Sequence, residues 1–143
     1  MPARWPGHHP GRTVPAGSHI VDPQPHEVIF DVCAAPGGKT THLATLGSPS
    51  CVVYGGDIHE HKLKLIDYNA QKLGLKNVRT LFQNACTIGQ KYGGRADRVL
   101  IDAPCSGLGV LRHKIDLRWR KQLSDLRTCR PCSGAFWKVL PSV

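Results

Sequence analysis

The sequence has no run near the roughly eighteen consecutive apolar residues of a membrane span, and its first residues lack the apolar core of a secretory signal. A soluble, intracellular protein is expected, with no membrane partner. Glycines at the G-x-G-x-x-G spacing are absent, which excludes the nicotinamide and flavin dinucleotide fingerprint. Gly38-Lys39-Thr40 imitates the end of a phosphate-binding P-loop, but the glycine required five positions earlier is replaced by Cys33, so a nucleotide triphosphatase is excluded as well. Cys129 and Cys132 have ligand-like spacing, yet no second pair accompanies them and the eight histidines are scattered. No metal is expected, and the six cysteines read as reduced thiols.

Acidic residues are missing from both ends. All ten Asp and Glu lie between Asp22 and Asp125, together with fourteen of the nineteen bases, so the stretch 20–125 carries +4 of the formal +9. The flanks 1–19 and 126–143 hold five bases and no acid, with Pro-Gly and Arg-Pro turn signals and no apolar periodicity. They read as poorly ordered tails around one domain, and 143 residues leave room for no more. The basic balance suits a polyanionic partner, although tail composition accounts for it equally well.

Within 20–125, short apolar runs alternate with longer helical patterns, the signature of repeated β-α units. Strands are predicted at 28–33, from Cys51 to near Asp57, at 78–82 and at 98–101, with helices over 39–46 and 59–73. In the second helix Leu63, Ile66, Ala70 and Leu73 fall near helical spacing, and Gly74 ends it. The expected fold class is α/β: an incomplete parallel sheet of about four strands, with right-handed crossovers.

Ligands of open α/β sheets bind at the carboxyl ends of the strands, which directs attention to three loops. After the first strand, Ala34-Ala35-Pro36-Gly37-Gly38-Lys39-Thr40 lets backbone N–H groups approach a ligand, or is simply a tight turn into a helix. Asp57 ends the second strand 26 residues beyond Asp31, where a carboxylate can accept from ribose hydroxyls or cap a helix. Together these point to a nucleoside cofactor such as S-adenosyl-L-methionine, with Phe82-Gln83-Asn84 placed to contact adenine. After the fourth strand, Asp102-Ala103-Pro104-Cys105 sets a carboxylate three residues from a thiol. That pair suits pyrimidine chemistry, in which a thiolate adds to C6 while an acid protonates N3. A buried thiol and a capping aspartate would look the same.

Three segments, 31–41, 57–66 and 102–112, resemble in order the cofactor and active-site motifs of the Sun/Fmu (RsmB) family of RNA cytosine-C5 methyltransferases, above all the bacterial 16S ribosomal RNA enzymes. The likeness covers roughly 20–125 and implies a Rossmann-like methyltransferase core, truncated here, that acts in the cytoplasm on RNA, with ribosomal RNA the expected partner. It implies that Cys33, Ala34, Ala35, Pro36, Gly37, Gly38 and Lys39 wrap the methionine part of the cofactor, that Asp57 holds the ribose, and that Asn84 and Asp102 complete the pocket. Asp102 would face the cytosine, Lys39 would reach the active site, and Cys105 would assist product release. Arg112, Lys114, Arg118, Arg120 and Lys121 would contact phosphates, or form a solvated helix face.

Three features depart from the family pattern. Asn84 stands where an acid is usual. The family's attacking thiol lies in a Thr-Cys pair after a fifth strand, whereas Thr128-Cys129 follows Cys105 by only 24 residues and is not assigned that role. The N-terminal RNA-binding region has no counterpart. The chain therefore reads as a shortened or mis-assembled methyltransferase with impaired activity, or as a non-catalytic module that binds S-adenosylmethionine or RNA.

Overall fold

The computed structural model describes residues 16–103, and Cys105 together with the basic run from Arg112 to Lys121 lies outside them. Four parallel strands form one sheet: β1 (Val28–Asp31), β2 (Val52–Asp57), β3 (Val78–Phe82) and β4 (Arg98–Leu100). Their spatial order is β3-β2-β1-β4. The chain thus winds outward from β1 to β3, then crosses back to lay β4 on the other side of β1. A topological switch point results between β1 and β4, and a crevice opens there at the carboxyl ends.

The helices are α1 (Ala16–Val21), α2 (Gly38–Leu46), α3 (Glu60–Lys72) and α4 (Ile88–Tyr92), the last preceded by a 3-10 turn over Ala85–Thr87. Alternation along β1 divides the core in two. Ile29 packs with Leu43, Val53, Leu63 and Ile66 under α2 and α3, while Phe30 faces Val32 and Ile88 on the opposite side. There the Phe30 ring stacks on Tyr54 at 5.1 Å and meets Tyr92 at 5.7 Å. α3 forms because Leu63, Ile66 and Ala70 align on one buried face, with Glu60 in its first turn and Lys72 in its last to complement the helix dipole. Gly74, at φ +68°, ends it in a conformation that costs a side chain more than it costs glycine.

The observed elements differ from the sequence expectation in two places. Residues 16–19, assigned to a tail, begin α1, and Ser18 is completely buried. Arg98 explains the ordering. Its Nε donates to Glu27 Oε2 at 2.7 Å and its Nη1 donates to the Val21 carbonyl at 2.8 Å, joining α1 to β1 and β4. The segment between β3 and β4, for which no helix was expected, holds α4, too short for a periodic pattern to register in the sequence.

At the opposite end of the sheet from the crevice, the buried Asn77 Nδ2 donates to the Ala44 carbonyl at 3.1 Å, tying the last turn of α2 to the start of β3. Asn77→Ala should leave that carbonyl unpaired and cost about 1–2 kcal/mol. Urea unfolding checks this, with an unchanged midpoint as the contrary result.

Candidate cofactor and base-binding site

The β1–α2 loop crosses the crevice. Ala34 N–H donates to the Gly56 carbonyl at 2.9 Å, which fastens the loop to β2, and Gly37 N–H closes a turn on the Ala34 carbonyl at 2.7 Å. The Ala35–Pro36 peptide is cis, and Asn69 of α3 donates from Nδ2 to the Pro36 carbonyl at 2.8 Å. Gly37 adopts φ +102°, and a Cβ there would lie 3.0 Å from the Ile66 Cα. Gly38 differs: a Cβ there meets nothing within 4 Å, so the surface above it is open. α2 starts at this point without a side-chain cap, so its first N–H groups present partial positive charge to the crevice.

Asp57 closes the next strand with its side chain only 12% exposed. Its Oδ1 accepts the His59 backbone N–H at 2.9 Å and lies 3.0 Å from the His59 ring Nδ1. Burial pushes the carboxyl upward, but the two His59 contacts and the charge of Lys62 outweigh it and leave the group below its ordinary range. Asp57 is therefore ionised at neutral pH, with Oδ2 unclaimed by any described residue.

Lys39, in the first turn of α2, pairs through Nζ with Oδ2 of Asp102, which follows β4. Sixty-three positions separate them in sequence, and the switch point brings them together. Both remain partly exposed, so the pair adds little stability and serves to place two charged groups at the mouth of the crevice.

The remaining expected residues divide. Asn84 follows β3, and its Oδ1 accepts the Cys86 N–H at 2.9 Å as the cap of the 3-10 turn. Its side-chain amide nitrogen donates to no described residue and is free for a ligand. Cys33 is half-buried, and burial together with Asp31, Asp57 and Asp102 pushes its thiol up to about 11. It stays protonated at neutral pH and contributes to the loop as backbone. Ala34 is buried, Ala35 half-buried and Pro36 exposed. Cys105, Arg112, Lys114, Arg118, Arg120, Lys121 and Cys129 lie outside the described residues.

Asp31, the last residue of β1, is a site residue that the sequence pattern does not assign. It is 1% exposed; Oδ2 accepts the Thr40 hydroxyl at 2.7 Å, and among the described residues none makes a well-formed hydrogen bond to Oδ1. The sequence does carry a signal, since a carboxylate inside Val28-Ile-Phe-Asp-Val-Cys33 interrupts an otherwise apolar strand. Among the described residues no group of three or more His, Cys, Asp or Glu is placed to hold a metal ion, and no helix is long and apolar enough to cross a membrane.

A parallel sheet in the order β3-β2-β1-β4, with a glycine turn at its switch point and an acidic residue closing the second strand, defines a Rossmann-like methyltransferase core. Solved structures agree. PH0851 superposes with a TM-score of 0.79 at 32% identity over 87% of this chain and 28% of its own, and NSun6 from Pyrococcus horikoshii, crystallised with SFG, with a TM-score of 0.75 at 32% identity over 86% and 31%. Residues 18–139 match the family described as 16S rRNA methyltransferase RsmB/F, and the chain belongs to that family. A probable ribosomal RNA small subunit methyltransferase B from Synechocystis is 42% identical over 86% of this chain, and one from Bacillus subtilis is 42% identical over 76%. The chain spans about a quarter of the length of these curated relatives, 28% and 24% respectively.

Proposed function

We propose that this domain binds S-adenosyl-L-methionine at the carboxyl end of its sheet and serves the methylation of cytosine C5 in RNA, ribosomal RNA in keeping with its relatives, in the cytoplasm. The observation that carries this reading is the convergence at one crevice of the Gly37–Gly38 turn, the ionised Asp57 and the Lys39–Asp102 pair. The residues present fit the cofactor. The uncapped start of α2 suits a carboxylate, Asp57 Oδ2 suits a ribose hydroxyl, the Asn84 amide nitrogen suits a base edge, and the orphaned Asp31 Oδ1 lies beneath the loop that Cys33 to Lys39 would wrap around the methionine part. When bound, the cofactor supplies an electrophilic methyl group on a sulfonium.

The protein's own part is to hold the base and manage protons. Lys39 Nζ donates to Asp102 Oδ2 at the end of β4, which would set an acid-base pair within reach of N3 of a pyrimidine while C6 is attacked. Cys33 is unsuited to the attack because its thiol stays protonated. Cys105 would assist product release, and Arg112, Lys114, Arg118, Arg120 and Lys121 would hold phosphates, as the family resemblance implies.

Titration of S-adenosylmethionine into the purified chain tests the reading. Asp57→Ala should weaken binding by about 10- to 100-fold, the worth of hydrogen bonds to a charged acceptor, while the unfolding midpoint shows that the variant is folded. Transfer of labelled methyl to ribosomal RNA on the same preparation is expected to be weak or absent. Binding without transfer would favour the non-catalytic module, and equal binding by both proteins would remove Asp57 from the site.

A further inference from the structure

α3 has a second face that the cofactor site leaves unused. With about 100° of rotation per residue, His61, Lys64, Leu65, Tyr68 and Lys72 fall within an arc of about 100°, directly opposite the buried Leu63, Ile66 and Ala70. All five are exposed, and two are large apolar groups: Tyr68 at 62% and Leu65 at 48%. No carboxylate enters the arc. Asp67 points to the flank, where its Oδ2 accepts the Thr80 hydroxyl at 3.3 Å, and Glu60 sits at the helix start, outside the arc. Phe82, 63% exposed, emerges two residues beyond Thr80 on the same side of the edge strand β3, past the flank that carries Asp67 and nearer the carboxyl end of the sheet. Cations spaced about 12 Å apart along the helix, from Lys64 to Lys72, thus alternate with an exposed aromatic ring, and a second ring lies toward the crevice.

We infer that the outer face of α3, with Phe82 of β3, is a contact strip for single-stranded RNA, with Lys64 and Lys72 on phosphates and Tyr68 and Phe82 as stacking platforms for bases. The inference rests on the proposal that RNA is the substrate. Charge decides the occupant. An apolar protein contact would desolvate Lys64 and Lys72, which no described carboxylate pairs, whereas a polyanion with stackable bases satisfies both the cations and the exposed ring.

The test uses the full chain and a fluorescein-labelled, unstructured twelve-nucleotide RNA, read by anisotropy over a salt series. Tyr68→Ala should lose on the order of tenfold in affinity and Tyr68→Phe should keep it, since stacking needs the ring and not the hydroxyl. Lys64→Gln/Lys72→Gln should lower the slope of log affinity against log salt by about 1.4, the value for two phosphates of a single strand. Affinity for S-adenosylmethionine, measured in parallel, should not change in any of them. If the parent chain binds the RNA and these variants match it in affinity and slope, the strip is overturned and the RNA reading stands. A parent chain that binds cofactor but no RNA overturns both. Unchanged RNA binding with a shift from dimer to monomer in Tyr68→Ala, by light scattering, would make the strip a protein contact and overturn the inference.

Discussion

Gly37→Ala is expected to destabilise the domain by about 3 kcal/mol and to abolish S-adenosylmethionine binding with it. Two costs combine. A residue with a side chain held at φ +102° carries about 1–3 kcal/mol of backbone strain. Its Cβ would also stand 3.0 Å from the Ile66 Cα, backbone that cannot swing aside, and Ile66 is fully buried on the inner face of α3. Overpacking of this kind costs a further 1–3 kcal/mol or so. Relief would require the loop to lift from α3, breaking the Asn69–Pro36 bond and misplacing the α2 N–H groups. Gly38→Ala is the control, since its Cβ meets nothing and the change should stay within about 0.5 kcal/mol. Urea unfolding of the two variants separates them, and equal midpoints would refute the strain argument.

The contribution of Asp31 to stability should fall as pH rises from about 4 to about 6. Burial raises its carboxyl from the usual 3.8 to about 6, against the opposing Thr40 hydrogen bond and the charge of Lys39. Below pH 3.8 the group is protonated in both folded and unfolded chains, and its neutral buried form costs nothing in this balance. Between the two values the unfolded chain releases the proton and the folded chain keeps it, so each unit of pH subtracts about 1.4 kcal/mol. The total is about 3 kcal/mol, lost in full above about pH 6. Asp31→Asn retains an acceptor for the Thr40 hydroxyl and should remove this slope, so that the variant gains on the parent by up to about 3 kcal/mol above pH 6. Urea unfolding of both proteins across the range isolates the difference from other titrating groups. Parallel curves would mean that the Asp31 carboxyl titrates alike in the folded and unfolded chains, so that burial does not raise it.

The same residue bears on ligand binding. Among the described residues no group makes a well-formed hydrogen bond to Oδ1, and a cationic group seated beside it would favour the charged form. Affinity for such a ligand should then rise between about pH 5 and pH 7 in the parent chain and not in Asp31→Asn.

Local chemistry was legible in the sequence. β3 was expected and found at Val78–Phe82; α3 ends beside Gly74, and α2 begins at the second glycine of the loop. In each case the signal lies within a few residues: an apolar run, a helical stripe, a glycine where φ must be positive. α1 and α4 were not legible, because helices of six and five residues contain too few turns for a periodicity to declare itself. Both are held by contacts from far along the chain, α1 through Arg98 and α4 through Ile88 against Phe30.

The candidate site shows the same division. From the sequence alone came the α/β class, the carboxyl ends of the strands as the place to look, the Gly37–Gly38 turn, Asp57 as a lone carboxylate, and the family motifs with their order. Those are properties of residue type and short spacing, which physical chemistry constrains without knowledge of neighbours. Only the tertiary structure decided that Lys39 meets Asp102, that Asn84 spends its oxygen on a cap, that His59 claims one oxygen of Asp57, and that Asp31 is a buried carboxyl with an oxygen to spare. Each of these depends on which strands lie side by side and how deeply a group is covered. The order β3-β2-β1-β4 places β4 beside β1, and that adjacency brings residues 63 positions apart into one crevice.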